Sequence, residues 1–284
     1  MGVCNVTPDS FSDGGKHFSH EDACARVDEL YGEGADIVDI GAESTRPGAA
    51  PVPAAEQLER VLEVVRYAAS HPGMKGGAGG CVSIDTASAA VADACLEAGA
   101  AVVNDVSCLK DDALAAVVAR HEAALVLMHS RGTQADMRGF SDYPDEAYGD
   151  VVLDVLAEWR AAADRAVARG VPRRAIVMDP GLGFAKNARH SAELVRRLGE
   201  LVVGARAPVL LGASRKSFLT LVEAGAAPTA RLGASLAAAL FGARAGASIL
   251  RVHDVRATRQ AIDLERLLTA HPAPRERALE AAHA

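Results

Sequence analysis

Short apolar runs recur along this chain, each closed by a polar residue, with longer stretches of helical periodicity between them. Three segments share one layout. In Gly34-Ala35-Asp36-Ile37-Val38-Asp39, Gly99-Ala100-Ala101-Val102-Val103-Asn104 and Gly246-Ala247-Ser248-Ile249-Leu250-Arg251, a glycine suited to end a helix precedes an apolar strand. A polar residue then closes each strand at the same offset. Further strands are predicted at 2–5, 81–85, 125–129, 176–179 and 209–212. Helical patterns are predicted over 21–31, 55–69, 87–97, 112–120, 145–169, 192–203, 231–245 and 256–269. Eight strands alternating with eight helices predict an α/β chain folded as a (β/α)8 TIM barrel, a single domain over 1–284. An open doubly wound sheet is the alternative. The glycine-rich stretch at 71–80 reads as a loop ahead of the third strand, and 271–284 as a tail expected to fray.

Composition narrows the function. The core is built from Ala, Val and Leu, since half the residues are hydrophobic but only 4% are aromatic. A net charge of −7 argues against nucleic acid or an anionic membrane as partner. Arg244 interrupts the longest apolar region, so no membrane span is expected. The five cysteines are scattered and form no Cys-x-x-Cys, which suits reduced thiols in a cytoplasmic protein better than disulfides or zinc. Of 30 basic residues only Lys16, Lys75, Lys110, Lys186 and Lys216 are lysines. A lysine kept in so arginine-rich a chain hints at a specific job, although Lys75 and Lys110 read as ordinary surface residues.

Candidate chemistry gathers at the strand ends. The run from Ile176 to Lys186 opens as a buried strand and meets Asp179-Pro180, where proline ends the ladder. Long polar loops follow the first two strands and read as a closing lid on the face where barrel enzymes keep their active site. Period two puts Ser83 with Asp85, and Arg251 with His253. If those faces look inward, the mouth holds Asn5, Asp85, Asn104, Asp179, Lys216, Arg251 and His253. An inward arginine needs an acidic partner or an anionic ligand. A salt-bridge network among Asp85, Asp179 and Arg251 is the purely structural reading. Acids, amides and bases at one end suit a flat heterocycle carrying phosphate, with Asn5 placed to meet Mg2+.

Eight blocks, at 5–15, 39–48, 83–86, 104–107, 128–133, 179–186, 212–219 and 251–255, together resemble the dihydropteroate synthases. The resemblance touches every strand end in order. It implies a barrel enzyme of folate biosynthesis, the target of sulfonamides, joining 6-hydroxymethyl-7,8-dihydropterin diphosphate to 4-aminobenzoate with release of pyrophosphate. By that resemblance Asp179, Asn104, Asp85 and Lys216 read the pterin edge, Arg251 stacks on the ring, and Met128, Phe184 and Gly212 line the pocket. Arg251, His253 and Asn5 hold the diphosphate, with Asn5 a ligand of Mg2+. Asp13 faces the cation formed when diphosphate leaves, and Phe11, Thr45, Arg46, Pro47, Lys216 and Ser217 shape the aminobenzoate site. Asp13, Lys216, Arg251 and His253 are the implied catalytic set. Relatives are usually dimers, and the alanine-rich helices at 231–245 and 256–269 offer small residues for such packing. Two features depart from the family: the first strand begins almost at Met1, and Cys108-Leu109 replaces a common glycine pair. The rival readings are a folate-dependent methyltransferase barrel and a non-catalytic pterin-binding paralogue.

Overall fold

The computed structural model describes residues 1–7, 20–43, 52–72, 80–132 and 143–270. Its elements run β1 (Gly2–Asn5), α1 (His20–Gly32), β2 (Ile37–Gly41), α2 (Ala54–Ser70), β3 (Cys81–Asp85), α3 (Ala89–Glu97), β4 (Val102–Asp105) and α4 (Asp112–Arg120). The second half follows with β5 (Ala124–Met128), α5 (Val151–Ala168), β6 (Ile176–Asp179), α6 (Ala188–Arg196), α7 (Leu198–Ala205), β7 (Leu210–Leu211), α8 (Leu232–Arg244), β8 (Ile249–Leu250) and α9 (Val255–Ala270). Strands β1 to β6 pair in sequence order and β7 pairs with β8, all parallel.

The two ladders join at both edges. Met178 of β6 bridges Val209, and Gly2 of β1 bridges Val252. The Met178 N–H donates to Pro208 O at 2.9 Å, and the Val3 N–H to Val252 O at 3.1 Å. A doubly wound sheet would leave two free edges. Here the circle closes, and the fold is the (β/α)8 barrel.

Two predicted helices differ in their limits. The one expected over 145–169 begins at Val151, because the Asp150 carboxylate accepts from the Val152 and Leu153 N–H groups at 2.9 and 3.1 Å and caps it there. Ahead of it, Asp145–Ala147 makes only a 3-10 turn. The one expected over 192–203 is two helices, α6 and α7, parted at Arg197 (φ −103, ψ 24). Asn187 starts α6 early through a capping box with His190.

Alternation sorts the strand residues into two cores. Val38, Ile40, Val82, Ile84, Val103, Leu125 and Leu127 face the helices and belong to the large apolar cluster. Ile37, Val102, Val126, Val177, Leu210 and Ile249 turn the other way and meet around Met1 as a small apolar layer inside the barrel. Two residues further along the same faces come Asp39, Asn104, Met128, Asp179, Gly212 and Arg251. The barrel interior therefore changes from apolar to polar one layer below the carboxyl ends of the strands.

The fourth strand–helix loop shows how Cys108-Leu109 replaces glycines. Both residues adopt the left-handed conformation, with φ of 64 and 53, which costs L-residues but not glycine. The buried Asp105 carboxylate holds them there. It accepts from the N–H groups of Ser107 at 2.8 Å and Leu109 at 2.6 Å, and from the Ser107 hydroxyl at 2.5 Å. Asp105→Ala should lower the stability of the folded chain by about 1–3 kcal/mol, since these bonds are lost while the strained turn remains. Urea denaturation reads this directly, and an unchanged midpoint would show that the loop is held some other way.

Candidate active site at the strand ends

Arg251 occupies the centre of the polar layer. Its Nε donates to Asp39 Oδ2 at 2.7 Å and its Nη2 to Asp85 Oδ2 at 2.8 Å. Asn104 Nδ2 donates to the same Asp39 oxygen at 3.0 Å. The three polar residues that close the repeated sequence segments thus meet inside the barrel. Asp39 was not among the residues expected at the mouth, although its repeat offset, shared with Asn104 and Arg251, is the signal that finds it. The expected network also changes membership. Arg251 pairs with Asp39 and Asp85, whereas the Asp179 carboxylate accepts from the Gly181 N–H at 2.8 Å.

Among the described residues, three buried oxygens in this layer have no hydrogen-bond partner: Asp39 Oδ1, Ser83 Oγ and Asn104 Oδ1. Buried acceptors without donors are costly, so their presence marks a place where polar groups arrive from outside the fold. Burial pushes the Asp85 carboxyl above the ordinary carboxylate range, with Asp39 adding to the rise and Arg251 opposing it. Asp179 is raised by burial too, against the Gly181 N–H and the charges of Lys216 and Arg251.

The other side of the mouth is built by the β6 and β7 loops. Lys216 Nζ donates to Leu182 O at 2.8 Å and lies 4.3 Å from the centre of the Phe184 ring. Burial lowers Lys216 to about 8, while Asp179 pulls the other way. Gly181 is required here. Its φ is +66, and a Cβ would lie 2.0 Å from His129 O. Met128, at the end of β5, packs on the same glycine: its Cγ would lie 3.2 Å from that Cβ. A Cβ on Gly212 would stand 3.9 Å from Arg251 Cβ, which places this glycine beside the arginine.

At the outermost level Ser214 Oγ and His253 Nδ1 are 3.1 Å apart, and the His253 N–H donates to Ser214 Oγ at 3.2 Å. Burial and the nearby Arg215 and Arg251 lower His253 to about 4. Ser217 opens the 3-10 turn Ser217–Leu221 directly after Lys216. Asn5 is exposed at the tip of β1, the strand beside β8. Phe11, Asp13, Thr45, Arg46 and Pro47 lie outside the described residues.

For Mg2+ the described rim offers the Asn5 amide oxygen. Such an ion takes few protein oxygens and completes its shell with water and phosphate, so this donor fits an ion carried mainly by a diphosphate. Among the described residues, the acids and histidine close enough to share a cation are Asp93, Glu97 and His121. They sit at α3 and α4, away from the mouth, where Asp93 already pairs with Arg120 and His121. No described helix is long and apolar enough to cross a membrane.

A barrel whose polar groups converge at the carboxyl ends of its strands has a defined class here: residues 1–253 match the family described as pterin binding enzyme, and the chain belongs to it. The chain is 44% identical over 268 residues to a dihydropteroate synthase of Mycobacterium leprae, covering 92% of this chain and 90% of that one. The dihydropteroate synthase of Xanthomonas albilineans with 4-aminobenzoic acid superposes with a TM-score of 0.85 at 38% identity, over 96% of this chain and 93% of that one. The same enzyme in complex with 7,8-dihydropteroate gives a TM-score of 0.81 at 35% identity, over 96% of this chain and 94% of that one. Within the pterin-binding enzymes, the chain falls among the dihydropteroate synthases.

Proposed function

We propose that the chain joins 6-hydroxymethyl-7,8-dihydropterin diphosphate to 4-aminobenzoate in folate biosynthesis, a reading supported by relatives named dihydropteroate synthase and by solved structures of such enzymes with 4-aminobenzoic acid and 7,8-dihydropteroate. The observation that carries the reading is the single polar layer in which Asp39, Asp85, Asn104 and Arg251 interlock and leave three buried oxygens unpartnered. Asp179 accepts from the pterin 2-amino and N3 groups, Asn104 and Asp85 meet the remaining edge, and Lys216 reaches the ring carbonyl. Arg251 stacks on the ring, with Met128, Phe184 and Gly212 completing the pocket walls.

The reaction breaks the bond between the pterin methylene carbon and the diphosphate oxygen, and the electron pair leaves with the diphosphate. The aminobenzoate nitrogen then supplies the pair for the new carbon–nitrogen bond and loses a proton. Arg251, His253 and Asn5 hold the departing anion, and the partial burial of Arg251 and His253 strengthens their share of that hold. Asn5 is the proposed ligand of Mg2+, which when bound neutralises part of the diphosphate charge. Asp13 is proposed to face the methylene cation, and Phe11, Thr45, Arg46, Pro47 and Ser217 to form the aminobenzoate site.

A homodimer and a cytoplasmic setting complete the proposal. Phe241 on α8 and Leu264, Leu267 and Leu268 on α9 are exposed in the single chain, which suits a packed face. All five cysteines are free thiols, which suits a reducing compartment.

The decisive assay supplies both substrates with Mg2+ and follows pyrophosphate and dihydropteroate. Equal amounts of both are expected, and a folded chain that forms neither contradicts the proposal. Ionisation of Lys216 adds a pH dependence. Its ammonium is charged below about 8 and neutral above, so affinity for a pterin lacking diphosphate should fall as pH rises through that value. Lys216→Met should bind weakly throughout and lose the part of the fall centred there. A wild-type affinity flat from neutral to alkaline pH would remove Lys216 from the pterin contact.

A further inference from the structure

Lys186 takes no part in the chemistry above, yet it is the most deeply buried lysine among the described residues, at 1% exposure. Among the described residues, no carboxylate lies within hydrogen-bond reach of it. Its Nζ lies 2.8 Å from His129 Nδ1, 3.0 Å from Phe184 O and 3.4 Å from His129 O. Three acceptors match the three donors of an ammonium. Burial lowers Lys186 to about 7, with Asp179 pulling the other way, so all three donors are present below that pH.

The chain continues beyond the lysine. His129 Nε2 is 3.0 Å from Glu158 Oε2. A carboxylate only accepts, so Nε2 carries the proton and Nδ1 keeps the lone pair that receives Lys186. Glu158 is fixed in turn by Arg131, whose Nε donates to both carboxylate oxygens at 3.1 and 3.0 Å. Arg131 also donates to Ala147 O at 2.7 Å and covers the Tyr148 ring at 3.9 Å. The Tyr148 hydroxyl donates to Ala185 O at 2.9 Å. The circuit therefore starts and ends on the β6 loop and passes through the β5 loop.

Both loops carry pocket walls. Phe184, whose carbonyl Lys186 holds, has Lys216 over its ring. His129, whose carbonyl and imidazole Lys186 holds, donates its N–H to Asp179 O at 2.8 Å and follows Met128. We propose that Lys186 is a positioning residue for pterin binding: its buried ammonium clamps the β5 and β6 loops so that Met128, Asp179 and Phe184 keep the geometry of one pocket. The inference rests on the proposed pterin reading. Asp179 also senses the lysine charge, which helps keep its carboxyl ionised against burial. Glu158 is held down at about 2 by its bonds to His129 and Arg131, so the anchor stays charged.

The test measures binding of 6-hydroxymethylpterin, with and without the diphosphate, by calorimetry on the wild type and on Lys186→Met. Methionine keeps the length and apolar stem but none of the donors. Affinity is expected to drop about tenfold, the scale of one lost polar contact network, and by the same factor for both ligands because the clamp acts on the ring end. A residue with only a structural role would lower the melting temperature and leave the affinity of the folded fraction unchanged, which overturns the inference. A loss confined to the diphosphate form also overturns it, since that marks a general charge effect. Glu158→Gln keeps a hydrogen-bond acceptor but removes the anchor's charge. It should weaken both ligands in the same direction, with the double variant no worse than Lys186→Met alone. If Lys186→Met does not fold, Glu158→Gln decides: unchanged affinity for both ligands overturns the proposal. A folded wild type that binds neither pterin removes the pocket reading and this inference with it, whereas binding by the wild type and equally by the variants removes the inference alone.

Discussion

A guanidinium inside the mouth of an apolar barrel can neither lose its proton nor find water easily, and the rest of the site follows from that constraint. Arg251 sits one layer above Ile249, Val102 and Ile37, which belong to the apolar interior. Two carboxylates, Asp39 and Asp85, take up its charge, and Asn104 steadies one of them. Strand alternation fixes which residues these are. A one-residue slip in β2, β4 or β8 would turn the polar residue out among the helices and leave the others uncompensated. The same arrangement leaves Asp39, Ser83 and Asn104 with idle oxygens. The fold tolerates that cost at the end where barrel enzymes bind their substrates.

Around this centre, the loops are held in conformations that their residues would not choose alone. Cys108 and Leu109 are left-handed because Asp105 binds the turn from inside. Gly181 lies so close to His129 O that no side chain fits. Lys186 and Lys216, two of the few lysines, both donate to carbonyls of the β6 loop. A dihydropteroate synthase must hold a rigid, flat ring while its exocyclic bond breaks, and pocket walls anchored by buried polar groups suit that task.

Much of this was legible in the chain. The repeated glycine, apolar run and polar terminus gave the strand count and barrel class, because strand periodicity and helix ends are local properties. Asp85, Asn104, Asp179, Lys216 and Arg251 were legible as rim residues for the same reason. Partnership was less so. Asp39 was visible as a repeat position but not as Arg251's closest carboxylate, since pairing across 212 positions of sequence depends on barrel closure. The circuit through Lys186, His129, Glu158 and Arg131 was hidden likewise, because Glu158 lies on the helix α5 and nothing local ties it to the strand ends. The early end of one helix at Arg197 and the late start of another at Val151 turned on caps that periodicity does not register.

The central claim is that these groups form one pterin-binding surface rather than a salt-bridge network that merely stabilises the barrel. Asp179 separates the two most cleanly, because its carboxylate accepts from Gly181 yet pairs directly with neither Arg251 nor Lys216 by hydrogen bond. The direct measurement is calorimetric titration of Asp179→Ala with the pterin diphosphate, beside a thermal melt of the same sample. The account predicts a cooperative melt close to that of the wild type and no measurable pterin binding. Retained pterin affinity in the folded variant would contradict it.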